Sequence, residues 1–286
     1  MIMEKDNNMS IIKKRILGIL KYASLAIFAF IAVLPLVSVL ITALKSNEEY
    51  ARTSVMSFPE KINIQNFAEA FKTANMGTAF LNSTVILIVV LLVSTIIGTQ
   101  LAYVLNRFKF RGNSLIRNLF LFATLLPGIA MQVSVYEIMT KLQLINHLYG
   151  YIIMMCGTDV ISIYVYIQYF ENIPQSLDES GIMDGAGYFR IYWSILLPLL
   201  KPAIVTSCVL KGVSTYNEYY CANLYLQDKT RYATVATSLY TFVGPLGSQY
   251  NMICAGVIIS LLPALIVFIT CQNQIYSGLT SGAVKG

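Results

Sequence analysis

Long apolar runs separated by shorter polar stretches dominate the chain. A helix rises about 1.5 Å per residue and a hydrocarbon core is about 30 Å thick, so a span needs about 20 mostly apolar residues. Six segments qualify: Ile16 to Leu44, Thr78 to Leu105, Leu115 to Val135, Leu148 to Phe170, Pro202 to Tyr220, and Met252 to Cys271. None shows the alternation of a barrel strand, and a helix satisfies its own backbone in lipid. The pattern therefore predicts an all-α polytopic membrane protein with six transmembrane helices, organised as one domain over residues 1–286.

Composition agrees. Hydrophobic residues make up 56 % and charged residues 12 %, against about 25 % charged in soluble domains, too few to cover a water-facing surface. The net charge of +6 reports orientation rather than nucleic-acid binding, because Lys and Arg concentrate in loops that stay inside. The first apolar run follows Lys13, Lys14 and Arg15 like a signal peptide, but it is too long for one and reads as an uncleaved anchor with the N-terminus inside. That orientation places twelve Lys and Arg inside and seven outside. It also puts the C-terminal tail, Gln272 to Gly286, inside.

Three loops stand out. The outer loop from Lys45 to Gly77 carries Phe67, Ala70, Phe71 and Ala74 at helical spacing, a candidate docking surface. The inner loop from Glu171 to Lys201 contains Gly185, Gly187 and Pro198, and the outer loop from Ala222 to Gln249 is rich in Tyr and Thr. In the inner loop, Ser176-Leu177-Asp178-Glu179 after Pro174 fits a capping box, predicting a short helix on the inner face. Asp178 and Glu179 suit its N-terminal end, and Gly185 permits a sharp exit or a close contact. The alternative is a solvated connector.

The fourth span contains Asp159, the fifth contains Lys211 with Glu218 near its end, and the sixth has no charge. These ionisable groups read either as a polar relay or as structural partners that pair or snorkel. Lys211 and Glu218 are seven apart and would share a face of a continuous helix. Pro127 and Gly128 interrupt the third segment, by exposing backbone to a path or by a packing kink. The five cysteines lack C-x-x-C spacing, and no P-loop, G-x-S-x-G or H-E-x-x-H motif occurs. Any ATP used must be hydrolysed by another chain.

Glu179-Ser180-Gly181, then Gly185 after three intervening residues, and Ile195-Leu196-Leu197-Pro198 after nine more, resemble the EAA loop of binding-protein-dependent ABC importer permeases. The string from Ile173 to Pro202 looks like the carbohydrate-uptake, maltose-type branch. Asn82-Ser83, Leu126-Pro127-Gly128, Asn217-Glu218, and the tail Gly278-Leu279-Thr280 with Gly282-Ala283-Val284-Lys285-Gly286 add to the resemblance. Ser180 and Gly181 depart from the motif's two alanines, and Gly costs about 1 kcal/mol relative to Ala in a helix interior. Tyr216 stands where the family often has Trp.

The resemblance implies a type I ABC importer permease fold in the cytoplasmic membrane, with both termini inside. The implied partners are a second homologous permease, two cytoplasmic ATPase subunits holding ATP and Mg, an extracytoplasmic solute-binding protein, and a sugar. No cofactor is expected in this chain, and no enzymatic site. Glu179, Asp184, Gly185 and Ala186 would couple to the ATPase; Gly278, Thr280, Gly282 and Lys285 in the tail would contact it. Tyr216, Asn217, Glu218 and Tyr219 combine hydrogen-bonding groups with aromatic walls, the chemistry a sugar requires, and are the substrate-path candidates. The alternatives are a permease of this type for a non-sugar solute, or an ion-coupled secondary transporter using Lys211, Asp159 and Glu218.

Overall fold

In the computed structural model the backbone is described for residues 2–157, 159–244 and 247–283, and the side chains for those between 15 and 272. It is almost entirely helical and divides into two compact units, residues 1–71 with 242–261, and residues 72–241 with 262–286.

The first unit holds α1 (Ile2–Ala43), α2 (Asn47–Arg52), most of α3 (Gln65–Thr73), and a short hairpin pairing Val243–Gly244 with Gly247–Ser248. From Ile16 to Val33 the large apolar side chains of α1 are exposed around the helix, as expected for a surface that meets lipid rather than water. Just past α1 the chain folds around Lys45, which is fully buried. Its ammonium donates to Thr53 Oγ1 at 3.1 Å, Ser54 O at 2.7 Å and Ser57 Oγ at 2.9 Å. Three acceptors replace the lost water, which is the condition for burying a cation. Asn66 donates to the carbonyls of Ala43 and Lys45, tying α3 to the end of α1. Of the four residues at helical spacing, Ala70 and Ala74 are buried and Phe67 is half-buried, but Phe71 is exposed and leaves the common face the spacing suggests.

The second unit contains α4 (Met76–Arg107), α5 (Asn113–Thr124), α6 (Gly128–Lys141), α7 (Leu148–Met155), α8 (Val160–Glu171), α9 (Ser176–Met183) and α10 (Tyr188–Ile191). A π turn (Tyr192–Leu196) leads to α11 (Leu197–Leu199) and α12 (Lys201–Tyr216); α13 (Tyr220–Tyr225), α14 (Lys229–Tyr232) and α15 (Val235–Ser238) follow, and α16 (Tyr250–Ala283) begins in the first unit. Its core lies among α4, α8, α10 and the start of α12, where Tyr166, Phe170, Ile191, Leu196 and Leu200 are fully buried. Gly98 lets α4 approach α8, since a Cβ there would meet the Tyr166 ring at 3.0 Å.

Among the described residues, three helices are long and apolar enough to cross a membrane unaided: Arg15–Ala43, Met76–Arg107 and Tyr250–Gln272. Three bent helix pairs raise the number to six. The third span differs from a continuous Leu115–Val135 helix. It is α5 and α6 at 103° to each other, far beyond a packing kink. Pro127, lacking an N–H, adopts ψ 111° and starts α6 with its carbonyl accepting from Ala130 N at 3.0 Å. The fifth span ends at Tyr216, so Glu218 lies beyond the helix and does not share a face with Lys211 as the spacing suggested.

Asn82 and Ser83 acquire a role that spacing did not reveal. Asn82 donates to the carbonyls of Arg231 and Ala233, each at 2.9 Å, and Ser83 Oγ accepts from Val235 N at 2.9 Å. The loop between α13 and the hairpin is thereby pinned to α4. Replacing Asn82 with Ala leaves two carbonyls unpaired at a buried position, a cost of about 1–3 kcal/mol. The expected outcome is a lower thermal midpoint of the detergent-purified chain and faster proteolysis within 229–241.

Candidate functional site

The inner loop departs from α8 at Glu171 and returns to the core at Ile191. Between them, α9 is held by one side chain. Arg107, the last residue of α4, places Nε 3.2 Å from Asp178 Oδ2 on α9. Its Nη2 donates to Ile173 O at 2.9 Å and Nη1 to Phe170 O at 3.4 Å, and the guanidinium lies 5.9 Å from the centre of the Phe170 ring. The paired side chains are only 7 % and 13 % exposed, so the contact escapes most of the solvent screening that weakens surface pairs. Burial pushes the Asp178 carboxyl above its ordinary value, and Arg107 opposes that shift. One cation thus joins the ends of α4 and α8 to α9.

The helix starts differently from the capping-box expectation. Gln175 is already helical (φ −66°, ψ −22°) and Ser176 is the first full helical residue, with no side-chain cap. The first amides go to backbone instead: Leu177 N to Pro174 O at 3.3 Å, with Asp178 N and Glu179 N to Gln175 O at 2.9 and 3.1 Å. Gly181 does not shorten α9. A Cβ there would lie 2.9 Å from Ile191 Cγ1, so the missing methyl is the space that Ile191 fills.

The exit is a Schellman motif. Gly185 has φ +80°, its N–H donates to Ile182 O at 2.9 Å, and Ala186 N donates to Gly181 O at 2.9 Å. An added Cβ on Gly185 meets no described atom within 4 Å, so among the described residues its requirement is conformational rather than steric. Glu179, Asp184 and Gly185 are exposed, as are Ile182 and Met183. Ala186 turns partly inward against the core.

At the opposite end of α12, Asn217 Nδ2 donates to Val213 O at 3.0 Å, and Glu218 Oε1 accepts from Cys221 N at 2.9 Å. Tyr216 packs with Ala79, Ala233 and Val235. Tyr219 stacks on Tyr240 with centroids 3.9 Å apart. All four substrate-path candidates thus have structural contacts within the chain, and Tyr240, unmarked in the sequence, completes the aromatic pair.

Lys211 lines a small recess with Ser94, Thr95, Ser162, Tyr166, Ser207 and Cys208. Asp159 accepts from Ser162 Oγ at 2.8 Å, and among the described residues no ion pair joins it to Lys211. The structural pairing considered for these two is therefore not made. Gly278, Thr280 and Gly282 lie on the last turns of α16, and Lys285 lies outside the described residues.

The profile of the binding-protein-dependent transport system inner membrane component matches residues 91–277, a stretch containing Arg107, α9 and Glu218. The chain belongs to this family. It is a multi-pass membrane permease, a transport component rather than an enzyme. The permease is 30 % identical over 263 residues to the melibiose/raffinose/stachyose import permease protein MelC of Bacillus subtilis (strain 168), covering 91 % of this chain and 94 % of MelC. It is 29 % identical over 282 residues to the maltodextrin transport system permease protein MalD of Streptococcus pneumoniae (strain ATCC BAA-255 / R6), covering 98 % and 100 % of the two chains. A crystal structure of a bacterial ABC transporter involved in the import of the acidic polysaccharide alginate superposes with a TM-score of 0.78 over 91 % of the permease and 96 % of that chain. At 23 % identity this likeness is one of fold.

Two predictions concern the permease's inner loop. Arg107→Ala leaves Asp178 in a low-dielectric site without its counter-charge, a cost of about 3–5 kcal/mol for a buried pair. In thermal unfolding, the Arg107→Ala/Asp178→Ala double variant is expected to lose less than the sum of the single losses; strict additivity would remove the pair's importance. At Gly185 the left-handed backbone costs an L-residue about 1–2 kcal/mol, with Asn tolerated best. Uptake should accordingly fall in the order Gly185, Gly185→Asn, Gly185→Val; equal loss in both variants would indicate an external steric contact instead.

Proposed function

We propose that this chain is a permease subunit of an ATP-driven ABC importer carrying a carbohydrate, in particular an oligosaccharide or glycoside, across the cytoplasmic membrane. The observation that carries the reading is α9: a short helix with Glu179, Ile182, Met183, Asp184 and Gly185 exposed, fastened through Arg107 to the ends of α4 and α8. A helix so held follows any push as one body with the ends of two spans, which converts closure of an ATPase dimer into rocking of the membrane helices.

In this reading Glu179 and Asp184 make charged contacts with a cytoplasmic ATPase, Gly185 sets the turn that presents them, and Ala186 seats the turn on the core. The tail with Gly278, Thr280, Gly282 and Lys285 runs along the same ATPase interface, which requires both termini on the cytoplasmic side. ATP and Mg belong to two ATPase subunits, and this chain holds no cofactor. A second, homologous permease completes the path, and an extracytoplasmic solute-binding protein delivers the cargo. The carbohydrate assignment is supported by the named cargoes of MelC and MalD. It is supported also by amide, carboxylate and aromatic groups at Tyr216, Asn217, Glu218 and Tyr219, with hydrogen-bonding groups for hydroxyls and flat faces for sugar rings.

Gentle detergent purification from the native membrane, with co-purifying proteins identified by mass spectrometry, tests the assembly. A second permease and a P-loop ATPase are expected, and the ATPase activity of the reconstituted complex should rise with binding protein plus raffinose or maltodextrin. A chain that emerges alone and still catalyses uptake after reconstitution would contradict the importer reading. A complete complex stimulated only by a non-sugar solute would contradict the cargo.

A further inference from the structure

The segment between α9 and α12 has a face that no other described residue covers. Residues Tyr188–Leu199 run as one helical stretch whose axis makes 74° with α12. If α12 crosses the bilayer, that stretch lies close to the membrane plane. Its inner face is set by Ile191, Tyr192 and Leu196, all at most 2 % exposed. Its outer face carries Phe189, 70 % exposed, and Trp193, 51 % exposed. These two rings, four residues apart, stack at 6.3 Å with planes 13° apart.

Two stacked aromatics would be a poor surface to leave in water, given about 25 cal/mol for each Å² of apolar area. At the boundary between headgroups and acyl chains the same surface is favourable, and Trp is enriched there. Charge points the same way. Between Gly185 and Lys201 the charged side chains are Arg190 and Lys201, both basic and both exposed. Exposed apolar side chains recur at Leu199 and, on α12, at Leu210 and Val213, as on a segment that meets lipid rather than a protein partner.

We propose that Phe189 and Trp193 form an interfacial anchor seated in the headgroup region of an anionic leaflet, with Arg190 and Lys201 on lipid phosphates. The anchor fixes the level at which α9 projects from the membrane and makes the bend at Leu200 the point about which the loop turns. This inference goes beyond the importer reading and needs only that α12 span a bilayer.

Trp193 is the only tryptophan in the chain, so the intrinsic emission of the full chain reports on this face alone. The test places the chain in nanodiscs containing phosphatidylglycerol or phosphatidylcholine brominated near the carboxyl end or near the methyl end of the acyl chains. Expected is a blue-shifted emission, quenched more strongly by the carboxyl-end bromines. At equal mole fraction, brominated phosphatidylglycerol should quench several-fold better than brominated phosphatidylcholine. That preference should disappear in the R190Q/K201Q variant and in wild type at high salt, where surface charges are screened. Emission typical of water, or quenching by neither bromine position, would overturn the anchor. Equal quenching by both lipids, or a preference that survives both charge removal and salt, would overturn the role of the two bases.

Discussion

The Arg107 guanidinium is the contact on which the inner loop depends. An exposed pair of this kind is worth about 0–1 kcal/mol; with both side chains removed from most water, the same pair becomes a constraint whose loss strands a charge. It joins the last residue of α4, the Phe170 carbonyl in the last turn of α8 with the Ile173 carbonyl just past it, and the first turn of α9. Around it the chain removes other freedoms. Gly181 admits Ile191, and Gly185 turns the backbone so that Ala186 reaches the core. What remains exposed on α9 is a small surface of mixed charged and apolar groups on a rigid mount.

The rest of the second unit follows the economy of a chain in lipid, where backbone groups must find partners inside the protein. Its breaks occur where such partners exist. Pro127 ends one helix and its carbonyl opens the next; Asn217 bonds back to Val213; Glu218 takes the amide of Cys221. Some polar side chains in the core behave alike, as in Thr99 with Tyr192 at 2.8 Å. Others do not: among the described residues the Ser94 and Ser207 hydroxyls lack a hydrogen-bond partner, and Lys211, which borders the same recess, has no acid within ion-pair distance.

Much of this was legible in the amino-acid sequence because the bilayer imposes a length and a polarity on each span. The short helix was legible for a local reason as well, since acidic residues after Pro174 and a glycine nine residues after Ser176 bracket it. Its details were not. Ser176 looks like a cap, but Gln175 is free to enter the helix and does so. The angle at Pro127 is set by what α5 and α6 pack against, which a proline does not encode. The continuity assumed between Lys211 and Glu218 fails at Asn217, whose amide offers the backbone another partner. The Arg107–Asp178 pair left no local signal, because its members come together only when α4, α8 and α9 have assembled. An arginine at the end of a span reads simply as an inner-face charge.

If the Arg107 contact is rigid, α9 moves together with the ends of α4 and α8. Spin labels at Ile182→Cys on α9 and Glu171→Cys at the end of α8, in a background with the five native cysteines replaced, test it directly in the reconstituted importer. The two positions are exposed, and their separation can be measured without nucleotide and with ATP bound to the ATPase subunits. One unchanged distance distribution is expected in both states. A shift of several ångströms on ATP binding would mean that α9 slides independently of the spans, and would contradict their joint motion.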